Sequence, residues 1–384
     1  MHNVRKVTDD LYWVGANDHR LALFENIHPL YHGVSYNAYV LLDEKTVLFD
    51  TADWAVGRQF IENVRAVLDG RPLDYLVINH VEPDHAASIE EILLRWPQVK
   101  IVTSPKAVIL LHQFGFPISA DQVEEVREGD TKCFGKHTIA FVAAPMVHWP
   151  EAMVSFDTTN GVLFSADAFG SFRALDGKLF ADEFDFDGEW LDDARRYYTN
   201  IVGKYGPQVQ SVLKKAAGLD IRALSPLPGP VLKEDVGHYL DKYNIWSSYG
   251  VESEGVFIAC ASIHGHTAAA MEKLAEILKA KGCPKVAMAD LTRDDTAKAL
   301  ENAFRYGKVV LAAASYNAGV MPAMEDFLHH LKGKNYQKRT VALVENGSWA
   351  PTAARTMREI LGQTKDITVV EPAVTIRGAL KDSD

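Results

Sequence analysis

Directly after the apolar run 75–78 comes Asn79-His80-Val81-Glu82-Pro83-Asp84-His85, and no other segment restricts the fold of this 384-residue chain as strongly. Four potential metal ligands, His80, Glu82, Asp84 and His85, fall within six residues at a strand end, where they can converge on one small volume. Pro83 keeps the segment from relaxing into a regular helix. Two acids and two imidazoles buried together without a cation would raise carboxylate pKa values and leave polar groups unpaired. Two more ligand types stand at strand ends: His148 in Pro145-Met146-Val147-His148-Trp149-Pro150, and Asp167 in Phe164-Ser165-Ala166-Asp167. His2, His19, His28, His32, His112, His137, His238, His329 and His330 read as surface or structural histidines.

Short β-rich runs at 38–42, 46–49, 75–78, 100–103, 138–142 and 153–156 alternate with Gly, Asp and Asn turns over the first 250 residues. With helical stretches at 89–96 and 192–205, they predict a mixed sheet covered by helices. Polar residues with Gly250 and Gly255 then mark a boundary, giving domains of 1–250 and 251–384. In the second, strands at 256–260, 286–289, 308–313, 340–344 and 367–370 alternate with helices at 267–281, 296–304, 323–331 and 352–361. That rhythm predicts an α/β doubly wound parallel sheet, with any ligand at the carboxyl ends of its strands.

Three strand-end loops of the second domain have ligand chemistry. Ser262-Ile263-His264-Gly265-His266-Thr267 offers hydroxyls, a glycine and a helix amino terminus to a phosphate. It has neither a Walker lysine nor GxGxxG spacing, which favours a mononucleotide over ATP or NAD. Ser315-Tyr316-Asn317-Ala318-Gly319 carries an aromatic and an amide for a flat ring, and Asn346-Gly347-Ser348-Trp349-Ala350 adds a second aromatic and a close-approach glycine. One such loop is most often a helix cap and a turn; three at successive strand ends point to FMN.

Composition narrows the partners. A formal net charge of -11 argues against nucleic acid. Cys133, Cys260 and Cys283 are too scattered for a disulfide framework, an iron–sulfur centre or a rubredoxin-type site, which points to a reducing compartment. Charges occupy the start of the chain where a signal peptide needs an apolar core, and no apolar run approaches the ~20 residues that span a bilayer. The expectation is a cytoplasmic protein without membrane contact.

Taken together, the HxExDH run, the His148-Trp149-Pro150 setting and Asp167 resemble the metallo-β-lactamase-type domain of flavodiiron proteins, and the FMN-like domain follows in the same order. Gly33-Val34-Ser35-Tyr36-Asn37-Ala38-Tyr39 and Phe49-Asp50-Thr51 are similar to that family's opening strands. The resemblance implies a metallo-β-lactamase-like αββα sandwich followed by a flavodoxin-like sheet. It implies His80, Glu82 and His148 on the iron nearer the flavin, Asp84 on the other, Asp167 bridging and His85 a conditional ligand, with no catalytic residue beyond these. The implied cofactors are FMN and two irons, and the implied reactions are O2 to water and NO to N2O. Electrons would come from an external donor such as a rubredoxin or a reduced deazaflavin, because no CxxC pair follows residue 370. A head-to-tail homodimer, or a dimer of dimers, is implied as well.

One position departs from the family pattern. Its last histidine normally stands in Pro-x-His-Gly-Pro, whereas Pro228 occupies that place in Pro226-Leu227-Pro228-Gly229-Pro230. Proline offers no donor atom, so His85 compensates, water fills the position, or one metal alone binds tightly. Two alternatives stay open: an FMN electron-transfer protein with a degraded or single-metal site, and a metal-dependent hydrolase fused to a flavodoxin. Against the hydrolase, zinc hydrolases of the superfamily carry a second His where Glu82 stands, and a carboxylate suits an iron pair better.

Overall fold

A computed structural model describes residues 2–384. The chain divides into two compact units, one of residues 2–198 with Pro207–Tyr243 and the other of Thr199–Gly206 with Asn244–Asp384. The division falls earlier than residue 250, inside the unforeseen helix Val236–Ser247. Contacts of the polar stretch that follows explain this. Trp246 donates to Glu252 at 2.6 Å, and the buried Arg339 guanidinium donates to the carbonyls of Tyr249 and Gly250 at 2.8 and 2.9 Å.

In the first unit the strands form two large sheets, the sandwich that the resemblance implies, in place of the single mixed sheet that the strand pattern alone predicts, and two two-stranded ribbons. The larger has seven strands in the order Arg5–Lys6, Leu11–Trp13, Tyr39–Leu42, Thr46–Phe49, Tyr75–Val77, Lys100–Thr103, Val123–Glu125. Pairing is antiparallel as far as Thr46–Phe49 and parallel beyond it. The smaller runs Thr131–Cys133, Thr138–Ala143, Met153–Asp157, Val162–Phe164, Ala223–Ser225. Every residue of Thr46–Phe49, Met153–Asp157 and Val162–Phe164 is buried, as strands covered on both faces must be. Phe49 of one sheet stacks on Phe164 of the other with centroids 3.9 Å apart, and Tyr39 meets Phe164 edge-on at 5.5 Å.

Helices cover these sheets where apolar side chains recur at three- and four-residue spacing. In Gly57–Leu68 the buried set is Phe60, Ile61, Val64, Val67 and Leu68. Helix Pro105–Gln113 starts with Pro105 in its first turn, and the Ser104 hydroxyl accepts from the Ala107 amide at 3.2 Å. The predicted helix 192–205 is broken: α-helix spans Leu191–Tyr197, a wider turn Tyr198–Val202, and a tight turn Gly203–Tyr205. Thr138–Ala143, Val162–Phe164 and Ala223–Ser225 all run one way, so their carboxyl ends share an edge of the smaller sheet.

The second unit carries a five-stranded parallel sheet in the order Val286–Asp290, Ser253–Ala261, Tyr306–Tyr316, Gln337–Asn346, Lys365–Ile376. In chain order that is 2-1-3-4-5, the flavodoxin-like arrangement, whose ligand crevice opens where the winding reverses between strands 1 and 3. Alternation along Ser253–Ala261 sends Phe257, Ala259 and Ala261 into one apolar layer, and Val256, Ile258 and Cys260 into the other. Among the described residues no helix is long and apolar enough to cross a membrane.

Candidate metal centre and second-unit cleft

Asp50, just past strand Thr46–Phe49, organises the ligand-rich loop. Its carboxylate accepts from the Asn79 amide and side chain, both at 2.7 Å, and from the His80 amide at 3.3 Å. Ser155 donates to the Asn79 side chain at 2.6 Å, and the Thr51 hydroxyl donates to the His85 carbonyl at 2.7 Å. Burial pushes Asp50 up to about 6, against the bonds from Asn79. Both ends of the 79–85 loop are thus tied to neighbouring strands. One correction applies within it: Pro83 does not forbid helix but starts a single turn, Pro83–Ala86, at the position where a missing N–H costs nothing.

The loop brings its donors to His148 and Asp167. His80 Nε2 lies 3.2 Å from Glu82 Oε2 and 3.1 Å from Asp167 Oδ2, while His148 Nε2 lies 3.1 and 3.0 Å from the same two oxygens. One donor atom from each of these four residues falls within 4.8 Å of all the others. Asp167 turns its other oxygen away. Oδ1 lies 3.1 Å from His85 Nε2, which is also 3.1 Å from Asp84 Oδ2. One carboxylate therefore stands between two donor sets, with His80, Glu82 and His148 on one side and Asp84 and His85 on the other.

Charge and geometry suit cations in both sets. Burial disfavours the charged imidazoles, yet Asp84 and Asp167 carry His85 up to about 10, and Asp167 and Glu82 carry His148 up to about 9. Burial raises Glu82 as well, but His148 and His80 bring it down to about 2. Among the described residues both Asp84 oxygens, both His85 ring nitrogens and Asp167 Oδ1 are buried without a hydrogen-bond partner. Their 3.1 Å approaches lack hydrogen-bond alignment and are ion pairs only. Such orphaned atoms are costly in a protein interior and are what a metal ion satisfies. Spacings of 3.0–3.2 Å also match the edge between two ligands at about 2.1 Å from a shared ion.

Pro228 lies on a loop held by buried bonds. Asn37 donates to the carbonyls of Pro226 and Gly229 at 2.9 and 2.7 Å, Ser35 accepts from the Gly229 amide at 2.7 Å, and Tyr39 donates to the Pro226 carbonyl at 3.0 Å. The Pro228 ring packs so closely on Gly170 that a Cβ there would come within 2.8 Å of Pro228 Cγ. The proline packs on Gly170 and adds no ligand atom.

Sequence reasoning passed over two side chains of this site, Glu151 and Glu25. Glu151 is buried beneath His80; an acid three residues after His148 was the available signal. Burial, then the charge of Glu82, pushes Glu25 up to about 7; nothing in its surrounding sequence marks it. Tyr197 has a buried hydroxyl without a partner among the described residues, and burial followed by the charges of Asp167, Asp84 and Glu82 keeps the phenol protonated.

In the second unit a cleft of about 330 Å³ opens at the switch point. Ser262, Ile263, His264, His266 and Thr267 line it from the first loop, Ser315, Tyr316, Asn317 and Ala318 from the second, and Asn346, Gly347, Ser348, Trp349 and Ala350 from the third. Gly265 and Gly319 stand behind the lining: Gly265 caps helix His266–Ala280 at φ 85°, and Gly319 accepts from Thr352 at 2.8 Å. Ala314 lines the cleft at the start of the second loop, and Thr352 and Gly378 line it without having been foreseen. Ser315 accepts from the Thr352 and Ala353 amides, so its hydroxyl anchors the start of helix Ala353–Leu361. Trp349 is 90% exposed and Tyr316 46%, apolar rings that a flat ligand would cover.

Residues 34–227 match the ODP family beta lactamase, and the chain belongs to that family. The anaerobic nitric oxide reductase flavorubredoxin of Aeromonas hydrophila is 28% identical over 375 residues, 94% of this chain and 74% of that protein. Rubredoxin oxygen:oxidoreductase from Desulfovibrio gigas superposes with a TM-score of 0.90 at 26% identity, covering 99% of this chain and 94% of the other. The flavodiiron protein of Giardia intestinalis shares the fold at a TM-score of 0.92 and 23% identity, over 100% and 93% of the two chains. Within its family, then, the chain is a flavodiiron protein and an oxidoreductase, a class that implies FMN and a diiron site.

Proposed function

We propose that this flavodiiron protein reduces O2 to water, NO to N2O, or both, with His80, Glu82, His148 and Asp167 holding one iron and Asp84, His85 and Asp167 the other. The observation that carries the reading is the Asp167 carboxylate, whose two oxygens face separate donor sets. Of the three outcomes open at Pro228, compensation by His85 is favoured, since that ring points at Asp84 and Asp167. FMN would sit in the second-unit cleft, its phosphate at the start of helix His266–Ala280 and its ring between Tyr316 and Trp349. When bound, the metals and flavin supply Lewis acidity and up to four electrons, the number that converts O2 to water without releasing peroxide; coupling two NO needs two.

The chain's own groups do the rest. Glu82, Asp84 and Asp167 offset the cation charge, and Asp50 and Asn79 fix the loop so that little reorganises during reaction. Tyr197 keeps a phenolic proton beside the carboxylates, a donor for an oxygen that gains charge. Electrons would arrive from a rubredoxin-type protein or a reduced deazaflavin, in the cytoplasm, to a head-to-tail homodimer. Metal analysis, an anomalous map at the iron edge, and anaerobic stopped-flow mixing of the reduced protein with O2 and NO test the reading. Two irons per chain and fast oxidation by either gas support it. Slow, peroxide-forming flavin oxidation with no response to NO, or a zinc-only pocket, overturns it.

A further inference from the structure

Behind His80, on the side away from the other donors, lies Glu151. Its side chain is fully buried, and Oε1 lies 2.9 Å from His80 Nδ1 and accepts from the Val81 amide at 3.1 Å, so an ionised carboxylate there calls for a proton on Nδ1. Oε2 has no hydrogen-bond partner among the described residues. The residue is held from its backbone too, because the Ser104 hydroxyl that caps helix Pro105–Gln113 donates to the Glu151 carbonyl at 3.1 Å. A carboxylate enclosed this fully is costly unless its partner carries positive charge, and an imidazole bound to a cation is such a partner. With Nδ1–H committed to Glu151, only Nε2 remains to face Glu82 and Asp167.

We infer that Glu151 is a positioning residue that fixes the tautomer of His80 and, as an anion bonded to that ring, strengthens it as a ligand and favours the more oxidised metal. The inference rests on the metal-centre reading above and adds a residue that touches neither metal nor substrate. An anionic acceptor makes the ring more electron-rich, so a neutral one should weaken binding and raise the potential. A merely structural glutamate would change stability and leave the potential where it was.

The test uses the full chain with Zn(II), Co(II) and iron. Titration of metal-free protein against a chromophoric chelator should give Glu151→Gln a 10- to 100-fold weaker affinity for the first ion bound, the order seen when such partners are lost. Its iron midpoint potential should lie above that of the unaltered protein. Equal affinity together with an equal potential overturns the inference. If Glu151→Gln does not fold, imidazole ¹⁵N spectra of the unaltered protein loaded with Zn(II) decide alone: His80 bound through Nε2 with a slowly exchanging Nδ1 proton supports the assignment, and binding through Nδ1 refutes it. An unaltered protein that takes up no transition ion removes the metal-centre reading, and this inference with it; uptake without any effect of Glu151 removes only the inference.

Discussion

On the proposed reading, Asp167 shares one carboxylate between two donor sets, whereas Pro228 withholds an imidazole from one of them. Replacing Asp167 by Asn takes one anionic oxygen from each donor set, so metal content should fall for both ions, which total-metal analysis of the purified chain reads directly. Pro228→His should raise occupancy of the Asp84–His85 set when the protein is loaded with limiting iron. Unchanged iron content in that variant would count against the proposed role of position 228 and is the result expected if His85 already supplies the imidazole. At this scale the sequence was most legible where chemistry is contiguous: the run from His80 to His85 announces itself because six residues already crowd the charges. His148 and Asp167 were readable as strand-end ligands, although their convergence required tertiary structure. Glu25 was illegible for a physical reason, since it matters only through Glu82, far away in the chain, whereas Glu151 had a signal in its place after His148 that did not show its partner, His80.

Strands and loops carry their own predictions. Asn37 joins three elements: it accepts from the Trp13 indole at 2.8 Å and donates to two carbonyls of the 226–230 loop. Asn37→Ala would leave those buried groups unpaired, each at about 1–3 kcal/mol, so a loss of roughly 3 kcal/mol or more in chemical denaturation is expected. Arg5 of the first strand is paired with Glu183 of the turn Ala181–Glu183 at 2.8 Å. Partial burial raises the Glu183 carboxyl, but Arg5 and the Leu179 and Phe180 amides bring it down to about 2. A carboxyl depressed in the fold stabilises fully above its unfolded value, near 4.5, and loses that contribution as pH falls toward 2. Glu183→Gln should therefore show a shallower loss of thermal stability between those two pH values than the unaltered chain; parallel curves would refute the assignment. The second unit's elements were readable because parallel strands and amphipathic helices alternate with clean periodicity. In the first unit, helix Gly57–Leu68 had a readable apolar spacing that went unused. The pairing into two sheets was readable only through the motif resemblance, because strands buried on both faces lose the alternation that tells one sheet from two.

Across the whole molecule, metals and flavin are assigned to different units, so single substitutions should remove one without the other. Gly347 admits no side chain, since a Cβ there would come within 2.9 Å of Pro351 Cα, and Gly347→Val is expected to lose flavin while keeping its metals. Asp167→Asn is expected to do the reverse. Flavin absorbance and metal content per chain check both, and loss of both groups in either variant would argue against separate sites. The scatter of the metal donors along the chain has a further effect during synthesis. A nascent chain that has emerged only as far as Glu125 holds every strand of the larger sheet and His80 to His85, but neither His148 nor Asp167. Cations in the surrounding medium then meet a fragment with a weak grip. On the proposed ligand set the donors are complete only once Asp167 has emerged, so an ion bound to the earlier fragment has fewer ligands and exchanges more readily.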